Sequence, residues 1–428
     1  MNIRIAAAAL AFVVPVATVS AFGQAGSLDP TFGSGGIVIT NFGVNENNFQ
    51  LVDAALAPNG DIIVAGTVSN LAEGETQSCD IIRYLPSGEL DASFGSAGIA
   101  TLAAPYFAST TGVLSLQANG KILVLTQVEV DGALEVALER LDANGELDST
   151  FGSGGIAVVD FPAPATEVAS PSLVLAQPDG KILLAGAATP PFRSKLSPET
   201  VLGRYLSNGT PDTTFGSKGF ASAVAIGTPS ALAVLSGDGI LALNNAGQLA
   251  QFTSAGVPLT TPIGGTVTAV KASGASTFLA NGDFLQAGAV QGPDGRRNAD
   301  SIIERFLPSG VLDSTFASPA ISFGPNGGGV DSYSFGIGTD SLGRVIVGGQ
   351  FITPTNGVWG VARVNSNGSL DTTFGSGGSV NTLVGLEGFA SVVLIQPNNE
   401  IVAVGEAQVS KDTANTMEDL AIVRYRAE

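Results

Sequence analysis

The chain has no histidine among its 428 residues, a single cysteine (Cys79) and a single tryptophan (Trp359). Each scarcity removes a class of function. A Ser-His-Asp or Cys-His catalytic pair is excluded because its base is missing. A His-ligated zinc or haem site is excluded too, and one thiol does not replace it. No intrachain disulfide can form, so stability has to come from a packed core. With one tryptophan and five tyrosines, aromatic platforms for sugar rings or a stacked quinone cofactor are few. Charged residues make up 13% of the chain, about half of the roughly 25% usual in soluble proteins. Cations are the scarcer sign: 18 Lys and Arg stand against 37 Asp and Glu, a net charge of −19. Such a field repels phosphate backbones, so nucleic acid is not an expected partner.

Long apolar runs are also missing, with one short exception. Residues 5–19 are mostly apolar, follow Arg4, and lead into Val19-Ser20-Ala21 and Gly23-Gln24-Ala25. A weak positive start, a short apolar stretch and small residues are the layout of a secretory leader. The run is shorter than the roughly 20 residues a spanning helix needs, and Pro15 interrupts it. The expectation is a leader over residues 1–25, cut between Ala21 and Ala25. The mature protein, 26–428, is then exported to the periplasm or beyond, with no membrane insertion.

Glycine is abundant: its 56 residues are close to twice the usual share of about 7%. Many of them belong to a repeat. The anchor LDxxFG recurs as LDPTFG (28–33), LDASFG (90–95), LDSTFG (147–152), PDTTFG (211–216), LDSTFA (312–317) and LDTTFG (370–375). A degenerate copy, LAQFTSAGVPLTTPIG (249–264), fills the long gap and puts Leu259 where the others have Asp. The seven aligned positions, Asp29, Asp91, Asp148, Asp212, Leu259, Asp313 and Asp371, make seven units. Each unit has an apolar run A after the anchor, then runs B and C around an Asn-Gly or Asp-Gly turn, then a run D. Such turns between apolar runs are a strong hairpin signal. No stretch carries a sustained helical period.

Four strands in each of seven units predict an all-β, seven-bladed β-propeller of antiparallel blades. The last run D, ending at Tyr425, has no anchor after it, and the first anchor has no run D before it. The expected ring therefore closes between the N-terminal anchor segment and the C-terminal strand, which removes the open edge. LDxxFGxxG, then xxPDGKILxxG, then xxxRYxxxGxLD resembles the bacterial delta-60 repeat, from about Leu28 to Tyr425. The resemblance implies an exported bacterial repeat protein and transfers no catalytic residue. It departs at the fifth anchor and at the last hairpin turn, Asn398-Asn399-Glu400, which lacks glycine.

Comparing the units exposes a pairing. Arg precedes the anchor Asp by eight residues in Arg83/Asp91, Arg140/Asp148, Arg204/Asp212, Arg305/Asp313 and Arg363/Asp371. Ring closure would unite Arg424 with Asp29. In the degenerate unit both are lost together, to Gln251 and Leu259. A lone buried charge is far costlier than none, so the joint loss points to structural ion pairs between connection and blade. The anchor phenylalanines are expected to pack between blades. Cys79 reads as a core-edge residue, and Asn208 and Asn367 as turn residues although both match a glycosylation sequon.

Strand order puts the B–C turns and D–A connections on one face, and the variable A–B and C–D loops on the other. The richest C–D loops are 67–79, 187–200, 289–300 and 406–419, whereas the fourth unit has only Asn244-Asn245-Ala246-Gly247. Variable loops on a fixed scaffold are where recognition concentrates. Run A is expected to line the central channel, and only Asp160 brings it a carboxylate. The expected function is a non-catalytic, monomeric scaffold offering its loop face to a protein or glycan of the cell envelope or exterior. No catalytic, cofactor or metal site is assigned. The alternative is a hydrolase or lyase using loop carboxylates such as Glu46, Glu129, Asp131 and Asp294 at the channel mouth, with or without a divalent cation such as calcium.

Overall fold

The computed structural model describes residues 24–428 except 43–46, 71–75, 110–111, 162–167, 190–197, 224–225, 261–266, 273–275, 291–299, 319, 322, 324–331, 354–355 and 410–417. The leader assigned to residues 1–25 lies outside the described residues up to position 23. The chain is a seven-bladed β-propeller of antiparallel sheets with no helix among the described residues.

The first strand, β1 (Ile37–Thr40), belongs to the last blade. Blade 1 contains β2 (Asn47–Leu56), β3 (Ile62–Asn70), β4 (Thr76–Tyr84) and β5 (Ile99–Leu102). Blade 2 contains β6 (Tyr106–Phe107), β7 (Leu114–Leu116), β8 (Ile122–Val130), β9 (Ala133–Leu141) and β10 (Ile156–Val158). Blade 3 runs through β11 (Val168–Ala176), β12 (Ile182–Thr189), β13 (Glu199–Tyr205) and β14 (Phe220–Ala223). Blade 4 holds β15 (Pro229–Leu235), β16 (Ile240–Asn244), β17 (Leu249–Phe252), β18 (Pro258–Leu259) and β19 (Val267–Ala272). Blade 5 holds β20 (Ser276–Phe278), β21 (Phe284–Val290), β22 (Asp300–Phe306) and β23 (Ala320–Ile321). Blade 6 has β24 (Ser332–Thr339), β25 (Val345–Ile352), β26 (Gly357–Val364) and β27 (Ser379–Thr382). Blade 7 has β28 (Glu387–Ile395), β29 (Ile401–Gln408) and β30 (Asp419–Tyr425), with β1 completing it.

Closure is by strand pairing: Ile37 faces Val423 and Thr40 faces Leu420. A second tie lies just upstream, where Gly375 N–H donates to Ala25 O at 2.8 Å. The same bond in other blades comes from a neighbouring turn, as in Gly95 to Asn144 O.

The strands are apolar on both faces because each blade packs between two others. All seven residues of β15 and of β30 are buried. Each fully buried Val, Leu or Ile side chain stabilises by about 1.5–3 kcal/mol. The B–C turns take the left-handed conformation that glycine allows, with Gly60 at φ 91° and Gly180 at 85°. In the hairpin without glycine, Asn399 takes the position itself at φ 67°. Asparagine is among the few other residues that tolerate it.

The structure corrects the expected position of run A. β2, β7, β11, β15, β20, β24 and β28 meet one another in a closed circle, so they are the innermost strands. These are the B runs. Run A folds straight back on the preceding run D, as β5 does on β4 with Ile99 opposite Ile82. It is therefore the outermost strand of the blade before it. Asp160, expected in the channel, follows outer strand β10 and is exposed. The carboxylates on the inner strands are Asp53 and Glu387.

The fifth run A is a further exception. Its segment does not pair with the outer side of β17. Two residues, β18, pair there, with Gln251 opposite Leu259. The chain then crosses to the axis, where β19 adds to the inner edge of β15, with Ala233 opposite Val270.

Candidate functional site

The repeated Arg/Asp positions form one clasp, made six times. The guanidinium meets its anchor carboxylate at 2.6–2.8 Å in Arg83/Asp91, Arg140/Asp148, Arg204/Asp212, Arg305/Asp313, Arg363/Asp371 and Arg424/Asp29. The guanidinium carbon sits 4.4–4.8 Å from the ring centre of the anchor phenylalanine: Phe94, Phe151, Phe215, Phe316, Phe374 and Phe32 respectively. Nη1 donates at 2.5–2.9 Å to a backbone carbonyl of the next blade: Ala143, Ser207, Ser254, Ser366, Ala427 and Pro86. One side chain thus holds its own connection and the neighbouring blade.

The other carboxylate oxygen accepts the backbone N–H of the residue two further on: Thr31, Ser93, Thr150, Thr214, Thr315 and Thr373. Sequence reasoning missed this role, although Thr or Ser stands there in every intact anchor. The phenylalanines pack between blades. A Cβ on Gly88, at φ 87°, would lie 2.9 Å from Phe32 of the preceding connection.

The clasps shift their acids downward. For Asp148, burial works against ionisation. Hydrogen bonds from Lys121 and Thr150 and the charge of Arg140 overcome it and hold the group well below the usual range. For Asp313, hydrogen bonds from Thr315 and then Arg305 lower the group to about 2. In the degenerate unit Gln251 keeps the inter-blade link without the charge: its Nε2 donates to Pro308 O at 3.0 Å.

A different ion pair closes the axis. Lys271 of β19 reaches Asp53 of β2, on the far side of the ring, at 2.5 Å, and both residues are buried. The same carboxylate oxygen accepts Leu114 N–H of blade 2 at 2.9 Å. Asp53 follows a β-bulge in β2. Similar bulges interrupt β11, β15, β24 and β28.

A buried carboxyl sits at the blade 7–blade 1 junction. Glu406 accepts Leu51 N–H at 2.5 Å and lies against Glu418. Burial and the adjoining Glu418 push it up to about 9. Cys79 is buried, and its surroundings together with the charges of Asp80 and Glu139 push the thiol to about 12. Such a thiol is inert.

The loop face is described only in part. Glu46 and Asp294 lie outside the described residues, as do the tips of all four rich C–D loops. Glu129 and Asp131 stand at the exposed end of the β8–β9 hairpin. Among the described residues, no group of three His, Cys, Asp or Glu is placed to hold a metal ion. A groove of about 630 Å³ lies between blades 2 and 3, with Asp160, Glu199, Lys218 and Phe220 in its walls. Asn208 and Asn367 accept N–H groups within their own turns.

These features define a seven-bladed β-propeller whose repeated charges are spent on joining blades. Four segments, 57–94, 117–151, 177–215 and 343–374, match the family described as "Domain of unknown function (DUF5122) beta-propeller". Each runs from a B–C turn through runs C and D to an intact anchor. No curated protein matches. Among solved structures, the chain is similar to an acylaminoacyl peptidase of Pyrococcus horikoshii at 10% identity and a TM-score of 0.41, covering 84% of this chain and 49% of that one. The chain thus spans about half the length of that relative. It is also similar to the β-propeller domain of the Trilobed protease from Pyrococcus furiosus at 9% identity, 89% and 94% coverage and a TM-score of 0.43. The polysaccharide lyase Uly1 shows 9% identity, 96% and 94% coverage and a TM-score of 0.45. At these identities and scores no function is carried across.

Proposed function

We propose that the chain is an exported, delta-60-like repeat propeller that binds rather than catalyses, offering its loop face to a protein or glycan of the cell envelope or exterior. The observation that carries this reading is the plugged axis. Catalytic groups of a propeller would converge on the axial cavity. Here β19 runs through it and the buried Asp53–Lys271 pair bridges it. The Arg/Asp positions, the richest repeated chemistry, are committed to clasps. That leaves the C–D hairpins, which differ from blade to blade, as the surface with free variation.

The test uses purified protein on arrays of envelope glycans and against envelope protein fractions, with and without calcium. Charge reversal at Glu129 and Asp131 is compared with charge reversal at Glu89 and Glu146 on the opposite face. The reading expects a ligand lost only with the first pair. Equal tolerance on both faces, or turnover of a captured glycan, would overturn it.

A further inference from the structure

On the face opposite the variable loops, blades 1 and 2 carry opposite charges at one matching position. Asp61 opens run C of blade 1, and Lys121 opens run C of blade 2. The two hold the same register. The residues that follow them, Ile62 and Ile122, face Tyr84 and Leu141 of their own runs D. Their carbonyls accept Ala57 N–H and Gln117 N–H across the turn. In blade 2 the Lys121 ammonium lies 2.5 Å from Asp148 Oδ2, the oxygen that Arg140 also meets. That clasp has two cations for one carboxylate. In blade 1 the balance is reversed: Asp61 adds a second carboxylate, and Asp91 Oδ2 meets the Arg83 guanidinium at 2.7–2.8 Å without a second cation among the described residues.

Beside Asp61 the blades leave a cavity. About 240 Å³ lies between blades 1 and 2, with Pro58, Ile63, Leu116 and Ile122 as apolar walls and Asp61 and Arg83 as the charged residues of its lining. The guanidinium is already committed. Its Nε and Nη2 meet Asp91, Nη1 donates to Ala143 O, and Nη2 also reaches Ser93. Asp61 is 7% exposed, and its side chain accepts a hydrogen bond from Asn59 Nδ2 at 2.7 Å. Among the described residues no cation pairs with it. Burying a carboxylate is costly unless an opposite charge meets it. The cavity therefore holds one unanswered charge, and that charge is negative.

We infer that this cavity is a binding site for a primary alkylammonium group. The ligand does in blade 1 what the Lys121 side chain does in blade 2. Its aliphatic stem lies against the apolar walls, and its ammonium donates to Asp61. Hydrogen bonds between two charged groups are about twice as strong as neutral ones. The cavity is smaller than the roughly 300–1,000 Å³ of drug-sized ligand sites, so the occupant is one short chain. The net charge of −19 draws such cations toward the protein. An anion is disfavoured, because the cation in the wall is neutralised by Asp91. The site lies on the turn face, so it is independent of what the loop face binds.

The test is isothermal titration calorimetry of the purified protein at low salt with pentylammonium, beside pentanol, sodium ion and acetyl-lysine methylamide. Pentylammonium is expected to bind, and Asp61→Asn to weaken it by at least about tenfold. Asp61→Lys copies blade 2 and is expected to abolish binding, because its own ammonium takes the place. Thermal melts verify that both variants fold. Asp160→Asn, in the groove between blades 2 and 3, is expected to leave the affinity unchanged. Tighter binding of pentylammonium than of the lysine derivative assigns the site to free amines, and the reverse assigns it to a lysine side chain of a peptide. Absence of binding up to about 100 mM pentylammonium, or pentanol or sodium binding as tightly, overturns the inference. So does an affinity that survives Asp61→Asn or Asp61→Lys in the folded variant.

Discussion

At the scale of the residue, one arginine does three things at once. It neutralises a buried aspartate, covers a phenylalanine ring and caps a carbonyl of the next blade. Its planar fork makes this possible, and a lysine could not reproduce it. Gln251 shows what survives without charge: the inter-blade hydrogen bond remains, and the aspartate is dispensed with. We therefore expect Arg424→Ala and Asp29→Ala each to destabilise by about 3 kcal/mol, because each leaves the other charge buried alone. The double variant should lose clearly less than the sum. A double-mutant cycle by thermal melting checks this, and strict additivity would contradict the pairing. The pairing was legible in the sequence through the joint loss in one unit. The third contact, to the next blade, was not, because the carbonyls that accept it carry no side-chain signature.

At the scale of the element, the anchor decides where the following strand goes. Asp holds the N–H two residues on and the chain turns back on run D, so run A becomes an outer strand. In unit five the Leu259 side chain has no oxygen to accept that N–H, and the strand that follows pairs at the axis as β19. Sequence periodicity located the strand within a few residues but not its sheet, since apolar alternation is the same for inner and outer edges. The register of β19 gives a direct check. Cysteines in place of Val234 and Ala269, which face each other across β15 and β19, should form a disulfide on mild oxidation. Mass spectrometry would count the thiols lost, with Cys79 protected by burial. Free thiols at both sites would return this strand to the rim.

At the scale of the whole molecule, the ring is closed by charge as well as by strands, so its stability should depend on pH in two opposed ways. The clasp aspartates titrate below their ordinary value of 3.8, Asp313 at about 2. Their contribution is complete above 3.8 and is lost as pH falls through the folded values. Glu406 is raised from 4.5 to about 9. The folded state keeps its proton, so that contribution is complete below 4.5 and is lost as pH rises toward 9. Melting temperature should therefore fall steeply below pH 4 and more gradually toward pH 9. Glu406→Gln keeps an acceptor for Leu51 N–H and should flatten the alkaline decline while leaving the acid limb unchanged. An unaltered alkaline limb would mean that Glu406 does not govern it.

The number of blades, their four-run grammar, the closure of the ring and the pairing of arginine with aspartate can all be read from the chain's own repeats. Each depends on a local pattern repeated within one chain: a turn residue, an alternation, a joint loss. Which run faces the axis, the crossing of the axis by β19, and the meeting there of Asp53 and Lys271, 218 positions apart, emerge only in the folded ring. These depend on contacts made once, between segments distant in the chain, and a contact made once leaves no repeat from which to read it.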